Sequence, residues 1–225
     1  MPRSGTTLVE HILASHADVF AFGETERFAR EAGAEPDPAQ VAAGYLGAWP
    51  PAARAARRVV DKSLGNFLHI GAIRSAFPRA KLVHIRREAM DCCLSIHFSL
   101  FSGKMPFPAD LGGIGRYISG YEALMDTWRA ILAPGTMHEI HYERLVADFE
   151  GEMRKLLDFC GLTWDPRCLA FHETTRTVTT ASLAQVRTPL YSSAVGRARN
   201  YAPWLGALRA ALDGEENPDR LAPRI

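Results

Sequence analysis

Several short stretches of this sequence carry residue types suited to holding and moving an anion. The first is Met1-Pro-Arg-Ser-Gly-Thr-Thr7, which runs straight into the apolar-periodic Leu8-Val-Glu-His-Ile-Leu13. A glycine and three hydroxyl residues beside an arginine, opening a helix, offer backbone N–H groups, O–H groups and positive charge to a phosphate or sulfate. The spacing is not that of a Walker A loop: the lysine is missing, and Arg3 stands two residues before Gly5. A plain ATPase or kinase reading therefore loses ground. An ordinary Ser/Thr cap on a helix uses the same residues, so this stretch alone leaves both readings open.

Further segments add to the first. Lys81-Leu-Val-His-Ile-Arg-Arg87 reads as a strand followed by a turn and a helix, with Ser95 eight residues beyond Arg87. Two arginines at the turn and a hydroxyl two turns into the helix make a second anion site, unless Arg86 and Arg87 merely pair with Glu88 or Asp91. Val59-Val-Asp-Lys62 is a short strand ending in a lysine, and Val19-Phe-Ala-Phe22 is another ending at Gly23-Glu24. Open α/β sheets keep their ligands at the carboxyl ends of strands, which singles out Lys62 and Glu24. Their ordinary alternatives are a solvated lysine and, for Glu24 or Glu26, an acid complementing a helix dipole. Late in the chain, Arg187-Thr-Pro-Leu-Tyr-Ser-Ser-Ala-Val-Gly-Arg-Ala-Arg-Asn-Tyr201 crowds hydroxyls and arginines around Pro189 and Gly196, suited to wrapping an anion or to a polar surface.

The elements that position these residues follow from periodicity. A helix is expected over 5–15, and Pro36, Pro38, Pro50 and Pro51 cut residues 30–58 into short helices forming a cap or insertion. A helix is expected over 64–77, another to about Phe101, the strongest amphipathic one over 114–132, a strand over 137–142 with a turn at 143–145, a helix over 148–160 closed by Gly161, and a last one near 204–212. Residues 102–113, rich in glycine and proline, read as a mobile loop over an acceptor. The whole is a single α/β domain over 1–225, and 47% hydrophobic residues in 225 are enough for a sizeable core.

A net charge of +1 speaks against nucleic acid as a partner. No apolar run approaches transmembrane length, so no membrane partner is expected. Four cysteines form neither a disulfide framework nor, with the histidines, a zinc site, which points to a reducing, cytoplasmic setting and no metal. A loop of the Pro2–Thr7 kind normally follows a buried strand, and only Met1 and Pro2 precede Arg3.

Taken in order, Pro2–Thr7, Gly23-Glu24, Asp61-Lys62-Ser63, His84-Ile-Arg-Arg87, His141-Tyr-Glu-Arg-Leu145 and Tyr191-Ser-Ser-Ala-Val-Gly196 resemble the sulfotransferase family over nearly the whole chain. The nearer likeness is to bacterial domains found behind tetratricopeptide repeats and to tyrosylprotein sulfotransferases. The resemblance implies a P-loop-like three-layer fold, a central mainly parallel sheet flanked by helices, with its first strand missing at the N-terminus. It implies transfer of a sulfuryl group from 3′-phosphoadenosine 5′-phosphosulfate (PAPS) to an acceptor hydroxyl of a protein tyrosine, carbohydrate or small molecule, leaving the desulfated nucleotide. Transfer is in line, through a loose transition state. Ser4, Gly5, Thr6 and Thr7 are then expected to cradle the 5′-phosphate, Arg87 and Ser95 the 3′-phosphate, and Tyr191, Ser193, Gly196 and Arg197 the late part of the nucleotide site. Arg3 and Lys62 stabilise charge on the bridging oxygen, and Glu24 is the base, with Glu26 in reserve. A nucleotide-binding relative without catalysis is the alternative. The acceptor and the oligomeric state stay open.

Overall fold

The computed structural model describes residues 1–33, 37–99, 110–174 and 186–214. Helix α1 (Thr6–Ala14) leads to strand β1 (Val19–Ala21), and α2 (Arg27–Ala32), α3 (Pro38–Gly47) and α4 (Pro51–Ala55) precede strand β2 (Arg58–Val60). A 3₁₀ turn (Leu64–His69) and α5 (Ile70–Ala76) follow, then strand β3 (Leu82–Arg86), α6 (Ala89–His97) and α7 (Leu111–Ile131). Strand β4 (Met137–His141), α8 (Tyr142–Ala147), α9 (Phe149–Cys160), a 3₁₀ segment (Arg197–Trp204) and α10 (Gly206–Leu212) complete it.

The strands pair in parallel, as an α/β chain requires, but as two pairs. β1 lies on β2 with Phe20 opposite Val59, and β3 lies on β4 with Ile85 opposite Ile140. The single central sheet expected from the sequence is thus two two-stranded sheets among the described residues. The two halves meet through side chains rather than a ladder: Val19, Val60 and Val83 all pack against one apolar cluster built on Ile12, Ile85, Ile140 and Leu156. A second cluster joins α6, α7 and α10 through Cys93, Ile114, Met125 and Leu208, with Met1 buried among them. A third holds Phe28, Val41 and Tyr45 against Phe77.

Local chemistry explains most boundaries. Pro38 and Pro51 stand in the first turns of α3 and α4, where a missing N–H costs nothing. Asp110 accepts from Gly113 N at 2.8 Å and starts α7 at Leu111, earlier than the expected 114. Gly161, at φ 64°, closes α9 as expected. The expected turn at Glu143–Leu145 is instead the short helix α8, directly joined to α9 through Asp148. The helix expected from Leu64 begins as a 3₁₀ turn and becomes α-helical only at Ile70. The helix after Arg87 ends at His97, before the expected Phe101. Near 204–212 the chain is a 3₁₀ segment up to Trp204 and α-helix from Gly206. Of the loop expected over 102–113, residues up to 109 lie outside the described residues.

A buried polar chain locks β3 to β4 and α7. His84 Nδ1 donates to Glu139 Oε1 at 2.7 Å, Arg129 Nε donates to the same oxygen at 2.9 Å, and the Tyr121 hydroxyl donates to His84 Nε2. Burial drops the His84 imidazole to about 4 despite the Glu139 carboxylate, which acts in the opposite direction. The ring is therefore neutral, and its tautomer follows from a carboxylate that only accepts. Among the described residues no helix is long and apolar enough to cross a membrane.

Candidate active site

The site is built around the start of α1. Arg3 sits at φ 62° and Gly5 at φ 108°, so the chain turns sharply before the helix. The Gly5 conformation suits glycine, and a Cβ there would stand 2.9 Å from Ile85 Cδ1 and 3.0 Å from Tyr142 Cδ2. Gly5 is the N-cap and has no side chain to cap with, so the ordinary Ser/Thr cap at that position is absent. The Ser4 hydroxyl turns inward and donates to the Met1 carbonyl at 2.8 Å, fixing the loop from beneath. The helix start, with its positive potential, faces a cavity of about 130 Å³.

That cavity gathers residues from four distant segments: Arg3, Gly5 and Thr7 from the first loop, Arg87 and Ser95 from β3 and α6, Tyr142 from α8, and Tyr191, Ser193 and Arg197 from the late segment. Arg3 Nε donates to Ser95 Oγ at 3.0 Å. Arg87 donates from Nη1 to the Arg3 carbonyl at 3.0 Å and from Nη2 to the Ala194 carbonyl at 2.6 Å, with its guanidinium 4.9 Å above the Tyr142 ring. Its Nε is buried and has no partner among the described residues. Burial, and after it the nearby Arg87 charge, pull the Arg3 guanidinium below its ordinary value. Two cations held this close, with an N–H of one unmet, form a site that gains from an anion of more than one charge.

Expected ion pairs of the two arginines are not what forms. Arg86 reaches Glu122 at 3.8 Å, not Glu88 or Asp91. Asp91, instead of pairing with an arginine, accepts from Gly196 N at 2.6 Å and Ala198 N at 2.7 Å. It thereby caps the 3₁₀ segment after Gly196 (φ 71°) and ties the late segment to α6. No sequence signal joins residues 105 apart, which is why this anchor is invisible before folding. Arg197 also swings its guanidinium over the Phe98 ring, 5.6 Å from its centroid.

Beside the loop lies an ionic cluster. Lys62, 8% exposed, donates to Thr7 Oγ1 at 3.4 Å and pairs with Glu24, whose side chain is 36% exposed. Lys62 N donates to the Gly23 carbonyl at 3.2 Å, and Phe22 N to the Val60 carbonyl at 2.9 Å, so the ends of β1 and β2 stay zipped together where Glu24 and Lys62 emerge. Ser63 Oγ accepts from Thr25 N and Glu26 N, and Asp61 Oδ1 in turn accepts from Ser63 N, Ser63 Oγ and Asn66 Nδ2. Tyr45 OH completes the hub by donating to Asp61 Oδ2 at 2.8 Å. Glu26, exposed at φ 47° as the N-cap of α2, makes no side-chain cap bond, unlike Glu24, which faces Lys62. The expected residues thus come together in two adjoining groups, Arg3 with Ser95 and Arg87, and Lys62 with Thr7 and Glu24. Among the described residues no group of three or more His, Cys, Asp or Glu side chains is arranged to hold a metal ion.

The Sulfotransferase family model matches residues 1–44 and 35–166. An uncharacterized protein of Aquifex aeolicus (strain VF5) is 35% identical over 231 residues, 91% of this chain. The chain spans only 30% of that relative's length. A putative protein-tyrosine sulfotransferase of Caenorhabditis briggsae is 24% identical over 205 residues, 77% of this chain and 67% of its own. Among solved structures, the sulfotransferase domain of the Synechococcus PCC 7002 olefin synthase superposes with a TM-score of 0.62 at 18% identity, covering 96% of this chain and 92% of that one, a likeness of fold.

Proposed function

Because the chain belongs to the sulfotransferase family, we propose that it moves a sulfuryl group from PAPS to an acceptor hydroxyl. The observation that carries this reading is the pairing of Arg3 and Arg87 beside a helix start whose N-cap is glycine, with the Arg87 Nε unmet among the described residues. The donor, when bound, supplies an activated sulfuryl group and a nucleotide leaving group. In this reading the Pro2–Thr7 stretch is a P-loop-like cradle, its N–H groups and the Thr6 and Thr7 hydroxyls holding the 5′-phosphate. Arg87 and Ser95 hold the 3′-phosphate, with Tyr191, Ser193, Gly196 and Arg197 closing over the nucleotide. Lys62 and Arg3 stabilise negative charge on the bridging oxygen as the nucleotide departs. Glu24 takes the acceptor proton.

The Lys62–Glu24 pair adds an order to these roles. While the ammonium holds Glu24, that carboxylate is occupied by Lys62 and not by an acceptor. An arriving polyanion competes for Lys62 and releases Glu24, so donor binding prepares the base for the acceptor. A phenolic hydroxyl is the acceptor class to test first, as the nematode relative's name indicates for that protein. We read residues 1–225 as one domain, with 30–58 as a cap. The four thiols, all free, suit a reducing cytoplasm.

Calorimetric titration with 3′-phosphoadenosine 5′-phosphate, followed by a transfer assay from PAPS to tyrosine peptides and simple phenols, tests the proposal. Saturable 1:1 binding with donor- and acceptor-dependent turnover is expected. Absence of nucleotide binding overturns it, whereas binding without turnover marks a nucleotide-binding member of the family.

A further inference from the structure

We infer that Glu10 is a positioning residue for the Lys62 ammonium, an inference that rests on the proposed sulfuryl transfer. Glu10 lies in α1 one turn beyond Thr7, so the two side chains share a helix face. Both meet the same group: Thr7 Oγ1 is 3.4 Å and Glu10 Oε2 3.8 Å from Lys62 Nζ. Glu10 is 6% exposed and Lys62 8%, whereas the third member, Glu24, is open to solvent on one side. Glu10 also reaches under the turn that carries Glu24, since a Cβ on Gly23 would stand 3.9 Å from Glu10 Oε1.

The need for such a residue follows from the chemistry. A lysine ammonium sits at the end of a flexible four-carbon stem and is aimed only by what it contacts. In the resting site Glu24 provides one anchor, but Glu24 has to let go in order to accept the acceptor proton. Glu10, buried on the rigid first turns of the helix whose start cradles the anion, keeps its hold through that exchange. A carboxylate beneath a polyanion site opposes anion binding if it affects it at all, so what Glu10 contributes is the aim of Lys62 and not donor affinity. Removing Glu10's charge leaves Lys62 still paired with Glu24, so no isolated buried charge is created and the fold tolerates Glu10→Gln.

A double-mutant cycle with wild type, Glu10→Gln, Lys62→Ala and the combined variant tests this. Turnover of PAPS with a phenol is measured together with the affinity for 3′-phosphoadenosine 5′-phosphate. Glu10→Gln is expected to lower kcat by about 10- to 100-fold, the scale of a misplacement of about an ångström. Nucleotide affinity is expected to stay equal to wild type or to tighten; in the Lys62→Ala background, where Glu10 is left buried without its cation, Glu10→Gln is expected to lower kcat no further and to raise stability. Glu10→Asp, which keeps the charge on a shorter stem, recovers part of kcat and carries the same comparison should Glu10→Gln unfold. Wild-type kcat in Glu10→Gln, equal losses in both backgrounds, or a matching loss of nucleotide affinity overturns the inference while leaving the proposed reaction standing. Full turnover in Lys62→Ala removes the role of Lys62, and the inference with it, while leaving the reaction standing; no turnover in the wild type overturns the reaction reading itself.

Discussion

Arg87→Ala removes the guanidinium on which the proposed nucleotide site turns, and its effect can be sized from the contacts. In the free protein Arg87 donates to two carbonyls, of Arg3 and Ala194, and keeps a buried Nε unmet. A bound 3′-phosphate offers the fork two charge-assisted hydrogen bonds, each contributing about 1.5–3 kcal/mol. The cavity is partly open, so the lower end applies, about 3 kcal/mol in all, or roughly a 150-fold loss of affinity. Loss of the tie to the Arg3 carbonyl also loosens the first loop, a cost shared by any nucleotide with a 5′-phosphate, of about 1 kcal/mol, or several-fold. Calorimetric titrations at fixed ionic strength with 3′-phosphoadenosine 5′-phosphate and with adenosine 5′-phosphate separate the two. The first ligand is expected to lose about 100-fold or more and the second less than about tenfold. Arg87→Lys, which keeps a point charge without the fork, falls between wild type and alanine. Equal losses for the two nucleotides would refute the assignment of Arg87 to the 3′-phosphate.

Further outcomes are expected from neighbouring residues. Glu24→Gln lowers kcat by about 10²- to 10⁴-fold with nucleotide affinity nearly unchanged, and steady-state turnover beside calorimetry reads both; undiminished turnover removes Glu24 as the base. Asp91→Ala frees the N–H groups of Gly196 and Ala198, costing about 1–2 kcal/mol in urea unfolding and weakening nucleotide binding through the late segment. Gly5→Ala forces a side chain into a left-handed turn against Ile85 and Tyr142, so a lowered Tm and loss of nucleotide binding are expected together. His84 sets an acid dependence: its folded value of about 4 lies below the ordinary 6.5, so the unfolded chain takes up the proton first. Stability is therefore full above about 6.5 and falls by up to about 3 kcal/mol as the pH drops through about 4. Urea unfolding at stepped pH checks this, and His84→Asn should flatten the slope between those limits.

The sequence by itself determined the local chemistry. A glycine among hydroxyls ahead of a periodic apolar run marked the start of a helix, and α1 begins at Thr6 with Gly5 as its cap residue. Apolar runs ahead of Glu24, Lys62 and Arg87 located three strands, which stop at Ala21, Val60 and Arg86, short of those residues, because a short apolar run is read from the sequence to within a few positions. Less local features escaped. The turn expected at Glu143–Leu145 folded as helix because Leu145, fully buried, is drawn into the core beside Leu156 and Phe171. Only the tertiary structure decided which charges meet. Arg3 and Ser95 are 92 positions apart, Asp91 and Gly196 105, and Lys62 and Thr7 55. Contacts over such separations are chosen by how helices and strands pack their apolar faces, which places polar side chains together as a consequence. Glu10 shows the difference most directly: in the sequence it is one acid in an apolar helix, and packing α1 against the ends of β1 and β2 sets its carboxylate beside the Lys62 ammonium.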